Sequence, residues 1–437
     1  MARRVTFFLS LLLVALLITP VSPADSQAGL PDDLTAPDPL VQFMIDQIDP
    51  GRIYRLTGDL SGEWQATIGG QPYTIQTRNS FSGKPVQKAA RYLFEFYKDL
   101  DLDVAYDEFD FYNRVLSNVV AEKPGSLYPE RVYLITSHYD SAPGGDLAPG
   151  ADDNASGTVA VMLAAEILSR YDFACTLRFV NFAGEEQGLV GSQAYAEQVY
   201  NAGEDLRGIL NLDMIAWNKP GSQPAMELHT HSGIPGTLSL AMLFQQVVAA
   251  YDLDLDPQII TIGTDRSDHA SFWTYDYSAI LAIEDFEDFN PYYHSIYDQL
   301  DYLDDPAYYT NMVKASLATL AHMGCLVDPG WGALSGQVTD QLTGLPVSNA
   351  VVSLHNPEAG YTRTSLSDQT GRFRISLPAA IHEVSADATG YSPAKSQEIA
   401  ILKDQELEIE LQLLPAIEHL TFIPLSRNTL PILPGTR

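Results

Sequence analysis

Apolar runs that are followed by histidine or acidic residues recur along this chain, and they restrict its fold more than any other feature. The runs cover residues 132–136, 176–182, 208–212 and 279–283. The polar residues that follow them are His138, Glu185, Glu186, Asp213 and His294. Such runs predict buried strands, and in an open parallel sheet ligands bind beyond the carboxyl ends of the strands. We therefore expect these side chains to converge at one edge of a sheet.

The segments between the predicted strands have helical patterns. Residues 82–100 have apolar side chains at helical spacing after Lys84-Pro85, and the polar turn at residues 150–157 precedes a second helical pattern. Strands and helices alternate as far as residue 283. This alternation predicts an α/β fold, with a mainly parallel sheet in a three-layer arrangement.

The adjacent carboxylates of Glu185 and Glu186 need a positive charge nearby, because like charges raise each other's pKa and resist burial. A metal ion is the leading candidate for that charge. Two histidines with several carboxylates form a mixed nitrogen and oxygen ligand set that suits zinc, and a bridging carboxylate allows two ions. One glutamate more than coordination requires can take the proton of a metal-activated water. This combination predicts a hydrolase.

The chain resembles the zinc-dependent aminopeptidases of family M28 over roughly residues 39–325. The motifs that carry the resemblance occur in the family's order. They are His138-Tyr139-Asp140, residues 150–157, residues 184–192, residues 211–214 and Tyr293-His294. The resemblance implies an enzyme with two Zn²⁺ ions per chain that removes N-terminal residues from peptides with a free amino terminus.

The resemblance also implies a ligand set. Asp153 would bridge the two zinc ions. His138 and Asp213 would complete the site of one ion, and Glu186 and His294 would complete the site of the other.

Four further residues take roles from the resemblance. Glu185 would be the general base, and Tyr293 would hydrogen-bond the tetrahedral intermediate. Asp140 would orient a ligand histidine, because a carboxylate partner fixes the imidazole tautomer. Arg266 begins a segment, residues 266–269, that resembles a substrate-binding loop of the family. In that segment the roles of the aspartate and the histidine stay open.

Several alternatives remain at this stage. Asp152 competes with Asp153 for the bridging position, and only the family alignment favours Asp153. Asn154 begins a glycosylation sequon, but a loop wrapped around metal leaves no space for a glycan. His229 and His231 alternate on a predicted strand and could also bind metal, although the family has no ligand there.

The N-terminus predicts export. Arg3 and Arg4 precede an uncharged apolar run at residues 5–18, and Ser22-Pro23-Ala24 has small residues at both cleavage positions. This pattern predicts a signal peptide that is cleaved before Asp25, general secretion, and a secreted or extracytoplasmic protein. The run is short for a membrane span, so no stable membrane insertion is expected after cleavage. An uncleaved anchor is the alternative.

The composition is strongly acidic. The chain has 56 acidic and 25 basic residues and a net charge of −31. Removal of residues 1–24 takes away two arginines and no acidic residue, which changes the net charge to −33. Such a surface repels nucleic acid and anionic membranes. The expected partners are therefore peptide substrates, and the oligomeric state stays open.

Cys175 and Cys325 are the only cysteines, so neither a thiolate metal cluster nor a disulfide framework is possible. Two alternatives remain for them in a secreted chain. One disulfide bond would tie the start of a core strand to the last helix of the catalytic domain. The other alternative is a pair of inert buried thiols.

The pattern changes after residue 328, where short strands separated by turn signals replace helices. Residues 333–415 predict a small β-sandwich that resembles carboxypeptidase regulatory-like, transthyretin-like domains, chiefly through residues 335–338 and 368–373. The expected order is a signal peptide at 1–24, a leader at 25–38, the peptidase domain at 39–328, the β-sandwich, and a tail at 416–437. The tail is either a sorting signal or a loose strand.

Three functional hypotheses follow. The first is a secreted dizinc aminopeptidase. The second keeps the fold but changes the reaction, as in a glutamate-carboxypeptidase-like or glutaminyl-cyclase-like relative. The third is a non-enzymatic envelope-binding protein that acts through the β-sandwich. The intact ligands and the presence of Glu185 count against the third hypothesis.

Overall fold

The computed structural model describes residues 34–394 and 396–416, which form two compact units. The first unit contains the described residues up to Ser169 together with Phe173–Leu326. The second unit contains Arg170–Asp172 and the described residues from Val327 onward. The predicted signal peptide, most of the predicted leader and nearly all of the predicted tail lie outside the described residues.

Three helices in the first unit begin at recognisable side-chain caps. Asp38, Asp49 and Asp305 each precede a helix, and each accepts a hydrogen bond from a backbone N–H of the first turn. A proline occupies the first helical position in all three, where no N–H donor is needed. The helices are α1 (Pro39–Ile45), α2 (Pro50–Ser61), α3 (Lys84–Asp99), α4 (Gly157–Leu168), α5 (Val190–Ala202), α6 (Thr237–Ala250), α7 (His269–Trp273) and α8 (Pro306–Met323).

The strands of the first unit form a two-stranded ribbon and an eight-stranded sheet. The ribbon consists of β1 (Ala66–Thr67) and β2 (Pro72–Tyr73). The sheet strands are β3 (Asp103–Phe111), β4 (Arg114–Lys123), β5 (Tyr128–His138), β6 (Cys175–Phe182), β7 (Asp205–Leu212), β8 (Ala225–His229), β9 (Asp256–Ile260) and β10 (Ala279–Glu284).

The large sheet has the strand order β3-β4-β6-β5-β7-β10-β8-β9. The four central strands, β6, β5, β7 and β10, are parallel to one another. In this register Ile135 of β5 lies between Phe179 of β6 and Leu210 of β7. The pairs β3/β4, β4/β6 and β10/β8 are antiparallel. The predicted α/β fold is confirmed, and the sheet is mixed because antiparallel strands flank its parallel centre.

Helices cover both faces of this sheet. Asn181 and Phe182 are neighbours on β6, and successive side chains of a strand point to opposite faces. Asn181 accepts a hydrogen bond from the hydroxyl of Tyr97 in α3 at 2.6 Å. Phe182 packs instead against Tyr195 of α5. Helices α3 and α5 therefore lie on opposite faces, which gives the three layers that the sequence predicts.

A disulfide bond joins the two cysteines of the first unit. Cys175 is the first residue of β6, and Cys325 follows α8. Their Cα atoms are 5.4 Å apart, and the bond closes a sequence separation of 150 residues. Of the two alternatives that the sequence leaves open, the structure has the bridge.

The second unit is an all-β sandwich of two four-stranded sheets. Their orders are β14-β11-β18-β16 and β13-β12-β15-β17. The strands are β11 (Trp331–Asp340), β12 (Val351–Asn356), β13 (Tyr361–Leu366), β14 (Arg372–Pro378), β15 (Ala380–Asp387), β16 (Tyr391–Ser392), β17 (Gln397–Ile401) and β18 (Glu406–Pro415). Buried side chains from both sheets, including Leu334 of β11 and Leu354 of β12, form its core. The predicted β-sandwich is confirmed.

Across the two described stretches, none of the helices combines the length and the apolar character that a membrane crossing requires.

Candidate metal centre

The predicted site residues lie at the edge of the sheet where the four parallel strands end. Most of them end or follow β5, β6, β7 and β10 in the chain, whereas Arg266 follows β9. The buried turn Ala151–Ser156 lies between β5 and α4. That turn begins after Gly150, which has a φ of 52°, and a Cβ there would lie 2.2 Å from the carbonyl oxygen of Asp153. Only glycine therefore fits where the chain folds back tightly on itself.

The structure brings five predicted ligands together in two groups. In the first group, Nε2 of His138 lies 3.2 Å from Oδ1 of Asp153 and 3.2 Å from Oδ1 of Asp213. In the second group, Nε2 of His294 lies 3.2 Å from Oδ2 of Asp153 and 2.8 Å from Oε2 of Glu186. Within each group the ligand atoms all lie within 4.8 Å of one another. Asp153 gives one carboxylate oxygen to each group, which is the arrangement of a bridging ligand.

The neighbouring aspartate, Asp152, points away from both groups. Its Oδ1 accepts a hydrogen bond from the backbone N–H of Ala216, and its Oδ2 accepts one from Asn290, both at 2.9 Å. Asn154 is fully buried and donates to the backbone oxygen of Leu212 at 2.9 Å. Of the two aspartates, only Asp153 therefore contributes to the two groups, and the sequon asparagine lies in the core.

Glu185 and Tyr293 face the same centre. Oε2 of Glu185 lies 3.9 Å from Nε2 of His138, and the ring of Tyr293 stacks on the ring of His294 with 3.7 Å between centroids. Burial, followed by the charges of Asp153 and other nearby carboxylates, raises the pKa of the Tyr293 hydroxyl. This phenol is therefore protonated at neutral pH and available as a hydrogen-bond donor.

Asp140 connects His138 with the loop that carries Glu185. Nδ1 of His138 lies 3.2 Å from the backbone oxygen of Asp140 and 3.6 Å from its carboxylate. That carboxylate accepts hydrogen bonds from the N–H of Glu185 at 3.2 Å and from the Ser80 hydroxyl at 2.9 Å. The imidazole is thus oriented mainly by the Asp140 main chain, and the carboxylate also fixes the glutamate loop.

Negative charge accumulates at this centre. Burial and the neighbouring charge of Asp153 raise the pKa of Glu186 to about 7, and burial raises the pKa of Glu185 well above its usual range. Burial lowers the pKa of His294, but its bonds to Asp153 and Glu186 outweigh that effect and raise the pKa to about 10. Oε1 of Glu186 is buried without a hydrogen-bond partner among the described residues. These nitrogen and oxygen donors therefore fit zinc, whose charge would relieve their repulsion.

Arg78, which the sequence analysis missed, is fully buried beside the metal-binding turn. Its guanidinium donates four hydrogen bonds of 2.6–2.8 Å to backbone carbonyls. The four acceptors belong to Leu60, Tyr139, Pro149 and Gly150. Burial lowers the pKa of Arg78 to about 10, which leaves it charged at neutral pH. Nothing in the sequence distinguishes this arginine from a solvated one.

Asp298 holds the amide side of the same turn. Its two carboxylate oxygens accept from the N–H groups of Asp152 and Asp153, both at 2.9 Å, and its backbone oxygen accepts from Ala151 at 3.0 Å. Burial raises the pKa of Asp298 to about 8. Arg78 therefore holds carbonyls of the metal-binding turn while Asp298 holds its amides. The position of Asp298 four residues after His294 is the only sequence signal that could have identified it.

A chain of hydrogen bonds fixes the second oxygen of Asp213. That oxygen, Oδ2, accepts from the hydroxyl of Ser267 at 2.7 Å, and this hydroxyl accepts from Asn211 at 2.9 Å. Asn211 in turn accepts from Thr136 of the neighbouring strand at 2.8 Å. Within the predicted substrate loop, residues 266–269, Ser267 is thus the residue that contacts the predicted metal ligand Asp213. Asp268 is fully buried nearby, and burial raises its pKa to about 7.

A cavity of about 130 Å³ opens beside the two ligand groups. One wall is polar and contains Thr264, Arg266 and Ser267. The apolar wall consists of Met214, Leu281, Ile283, Phe286 and Phe289. Glu185, Tyr293 and His294 also line the cavity. His229 and His231, by contrast, belong to neither ligand group.

This α/β unit therefore presents a cluster of histidine and carboxylate ligands, with one shared aspartate, at the ends of parallel strands. The chain contains a peptidase family M28 domain at residues 118–319, followed by a carboxypeptidase regulatory-like domain at residues 333–414. Both domain assignments that the motifs predict are confirmed. The roles of the individual site residues stay predictions.

Relatives with curated descriptions agree with this family. A probable zinc metalloprotease of Leptosphaeria maculans is 30% identical over 243 residues, which cover 47% of this chain and 56% of that protein. A probable leucine aminopeptidase of Trichophyton verrucosum is 32% identical over 198 residues, which cover 43% of this chain and 52% of that protein. The chain spans between about a quarter and about half of the length of the curated relatives that it matches.

The fold also matches solved structures. The LapA aminopeptidase of Legionella pneumophila is similar with a TM-score of 0.55 and 22% identity. The similarity covers 66% of this chain and 75% of that one. At this identity the similarity supports the fold alone.

We predict that Arg78→Lys weakens both the fold and the metal centre. A lysine ammonium cannot reproduce the planar fork of donors, and each buried carbonyl left without a donor costs about 1–3 kcal/mol. The free energy of unfolding from urea titration and the zinc content from metal analysis should both fall.

Arg114→Lys is the matched control, because Arg114 is exposed and donates to one backbone oxygen, that of Phe81, at 2.8 Å. Its effect on stability should stay within about 0.5 kcal/mol. Unchanged stability and zinc content in the Arg78 variant would show that the guanidinium does not support the turn.

Proposed function

We propose that this protein is a zinc-dependent aminopeptidase that hydrolyses the N-terminal peptide bond of peptides. One observation carries the proposal: two ligand groups share Asp153, and Glu185 lies beside them without belonging to either group. The M28 domain and the relationship to zinc metalloproteases support the same reaction.

Two zinc ions per chain are part of the proposal. The first would be held by His138, Asp153 and Asp213, and the second by Asp153, Glu186 and His294. Zinc bound there would supply Lewis-acid activation of the attacking water and of the scissile carbonyl.

The residues around the ligands would handle the proton and the developing charge. Glu185 would take the proton of the attacking water as general base, because its carboxylate lies 3.9 Å from Nε2 of His138 and belongs to neither ligand group. The protonated Tyr293 hydroxyl would donate a hydrogen bond to the oxyanion of the tetrahedral intermediate. Asp140 would hold the His138 ring and the Glu185 loop in their positions through the contacts described above.

The same geometry suggests how the free amino terminus is selected. Glu185 and Asp213 both line the cavity, and their carboxylates suit an α-ammonium group. The apolar wall that includes Leu281 and Phe289 would receive the side chain of the first residue. Arg266 would contact the substrate from the polar wall.

The two adjacent glutamates provide a matched pair of variants. Glu185→Gln should lower turnover by roughly 10²–10⁴-fold, the usual contribution of a general base, and should keep two zinc ions per chain. Glu186→Gln should instead lower the zinc content, because it removes a ligand. Turnover of a leucine anilide and metal analysis distinguish the two roles.

The reverse result, zinc loss in the Glu185 variant with retention in the Glu186 variant, would show that the two roles are exchanged. A single zinc ion in the wild-type protein would refute the binuclear centre.

Substrate selection is tested with a free-amine peptide and its N-acetylated copy. Acetylation removes the ammonium charge and leaves charged acceptors unpaired, which costs about 1–3 kcal/mol or more, so only the free peptide should be shortened. Mass spectrometry identifies the products. 1,10-Phenanthroline should abolish the activity, and added zinc should restore it.

Each alternative reaction has its own outcome in this experiment. Release of C-terminal residues would favour a carboxypeptidase-like enzyme. Loss of ammonia from an N-terminal glutamine without shortening would favour a cyclase-like enzyme. A zinc-loaded protein that changes neither peptide would leave a binding role for the β-sandwich.

We also propose that the protein acts outside the cytoplasm after signal cleavage. The Cys175–Cys325 disulfide supports this, because such bonds persist in oxidising compartments. The exported protein should begin at Asp25 by N-terminal sequencing and should contain no titratable thiol.

Cys175→Ser and Cys325→Ser should each lower the unfolding free energy by about 2–5 kcal/mol, and the double variant by little more. Retained N-terminal residues or two free thiols would contradict the proposal.

A further inference from the structure

The polar wall of the cavity belongs to the segment between β9 and α7, and two histidines hold that segment at one residue. The N–H of Thr264 donates to Nδ1 of His229 at 3.1 Å. The backbone oxygen of Thr264 lies 2.9 Å from Nε2 of His269. The backbone N–H and the backbone carbonyl of Thr264 are thus both hydrogen-bonded to imidazole rings. One ring is at the end of β8, and the other is at the start of α7.

These contacts fix the tautomer of each ring. His229 accepts at Nδ1, so its proton is on Nε2, which lies 2.8 Å from the Glu227 carboxylate. His269 faces a carbonyl oxygen, so its Nε2 carries the proton and donates. Both rings are buried, and burial lowers their pKa values to about 4 and about 3. Each histidine is therefore neutral at neutral pH, and neither belongs to a ligand group.

We call the two hydrogen bonds between the histidines and Thr264 the clamp. Thr264 lies where it can affect substrate binding. Thr264 lines the cavity itself, and Arg266 and Ser267 follow it in the same wall. Ser267 in turn bonds Asp213 at 2.7 Å. A shift of the Thr264 backbone would therefore move the wall that faces the substrate relative to the ligand groups.

We propose that His229 and His269 are positioning residues that hold the Thr264–Ser267 wall in place and thereby determine how tightly substrate binds. The inference rests on the proposed aminopeptidase function for its kinetic consequence. The clamp itself is a property of the fold and can be measured without activity.

The two histidines use different ring atoms, and this difference gives a sharp test. An asparagine places its amide near the Nδ1 position, whereas a glutamine reaches the Nε2 position. His229→Asn and His269→Gln should therefore keep the clamp, while His229→Gln and His269→Asn should lose it. All four variants are polar and of similar size, so they differ mainly in where the amide lies.

Two measurements test separately the hydrogen bonds to Thr264 and their effect on substrate binding. Hydrogen exchange followed by mass spectrometry should show faster exchange in the peptide that covers residues 261–267 for the two mismatched variants only. With a leucine anilide, the mismatched variants should raise KM roughly tenfold, the scale of one lost buried hydrogen bond. Their kcat and zinc content should stay within about twofold of the wild type. The matched variants should resemble the wild type in both readouts.

His382→Gln and His382→Asn are the controls for a purely structural effect. His382 is a buried histidine of the β-sandwich whose Nε2 donates to the backbone oxygen of Pro378 at 3.1 Å. These variants can change the melting temperature but should leave KM unchanged.

The inference is overturned if asparagine and glutamine behave alike at both positions, or if mismatched variants exchange faster while KM stays at the wild-type value. Wild-type protein without aminopeptidase activity would refute the proposed function, and the exchange experiment would still test the clamp.

Discussion

Repulsion among buried carboxylates is the constraint on which the rest of this structure depends. Glu185, Glu186, Asp153 and Asp213 meet at the end of the parallel strands, where burial makes each charge costly unless it is compensated. The two histidines of the centre supply part of the compensation, and divalent cations would supply the rest. The same concentration of charge that makes the centre unfavourable without metal would make it a selective site for metal and for a substrate ammonium group.

The turn that carries Asp153 is held by two buried side chains, one that donates hydrogen bonds and one that accepts them. Arg78 donates to carbonyls at its start, and Asp298 accepts from amides within it. Each of these two buried side chains thereby satisfies backbone groups that would otherwise lack partners. The position of the shared ligand is thus determined by a fixed backbone as well as by the flexible side chain.

The polar wall of the cavity is held by neutral groups. His229 and His269 bond both backbone groups of Thr264, and Ser267 connects that segment to the ligand Asp213. Charged clamps there would compete with the substrate and with the metal ligands. Neutral imidazoles can fix a backbone without adding to the electrostatic field, which is consistent with their low pKa values.

The sequence by itself determined the α/β class, the β-sandwich and the set of residues that meets at the centre, because strand periodicity and residues just beyond strand ends are local features. Only the tertiary structure decided in which direction a side chain points and which distant residues it contacts. Asp152 and Asp153 are adjacent and chemically identical, and only the path of the turn sends one toward the histidines and the other toward Asn290. Arg78 has no local signal, because its four carbonyl partners come from separate parts of the chain. Its burial depends on the folded backbone that surrounds it.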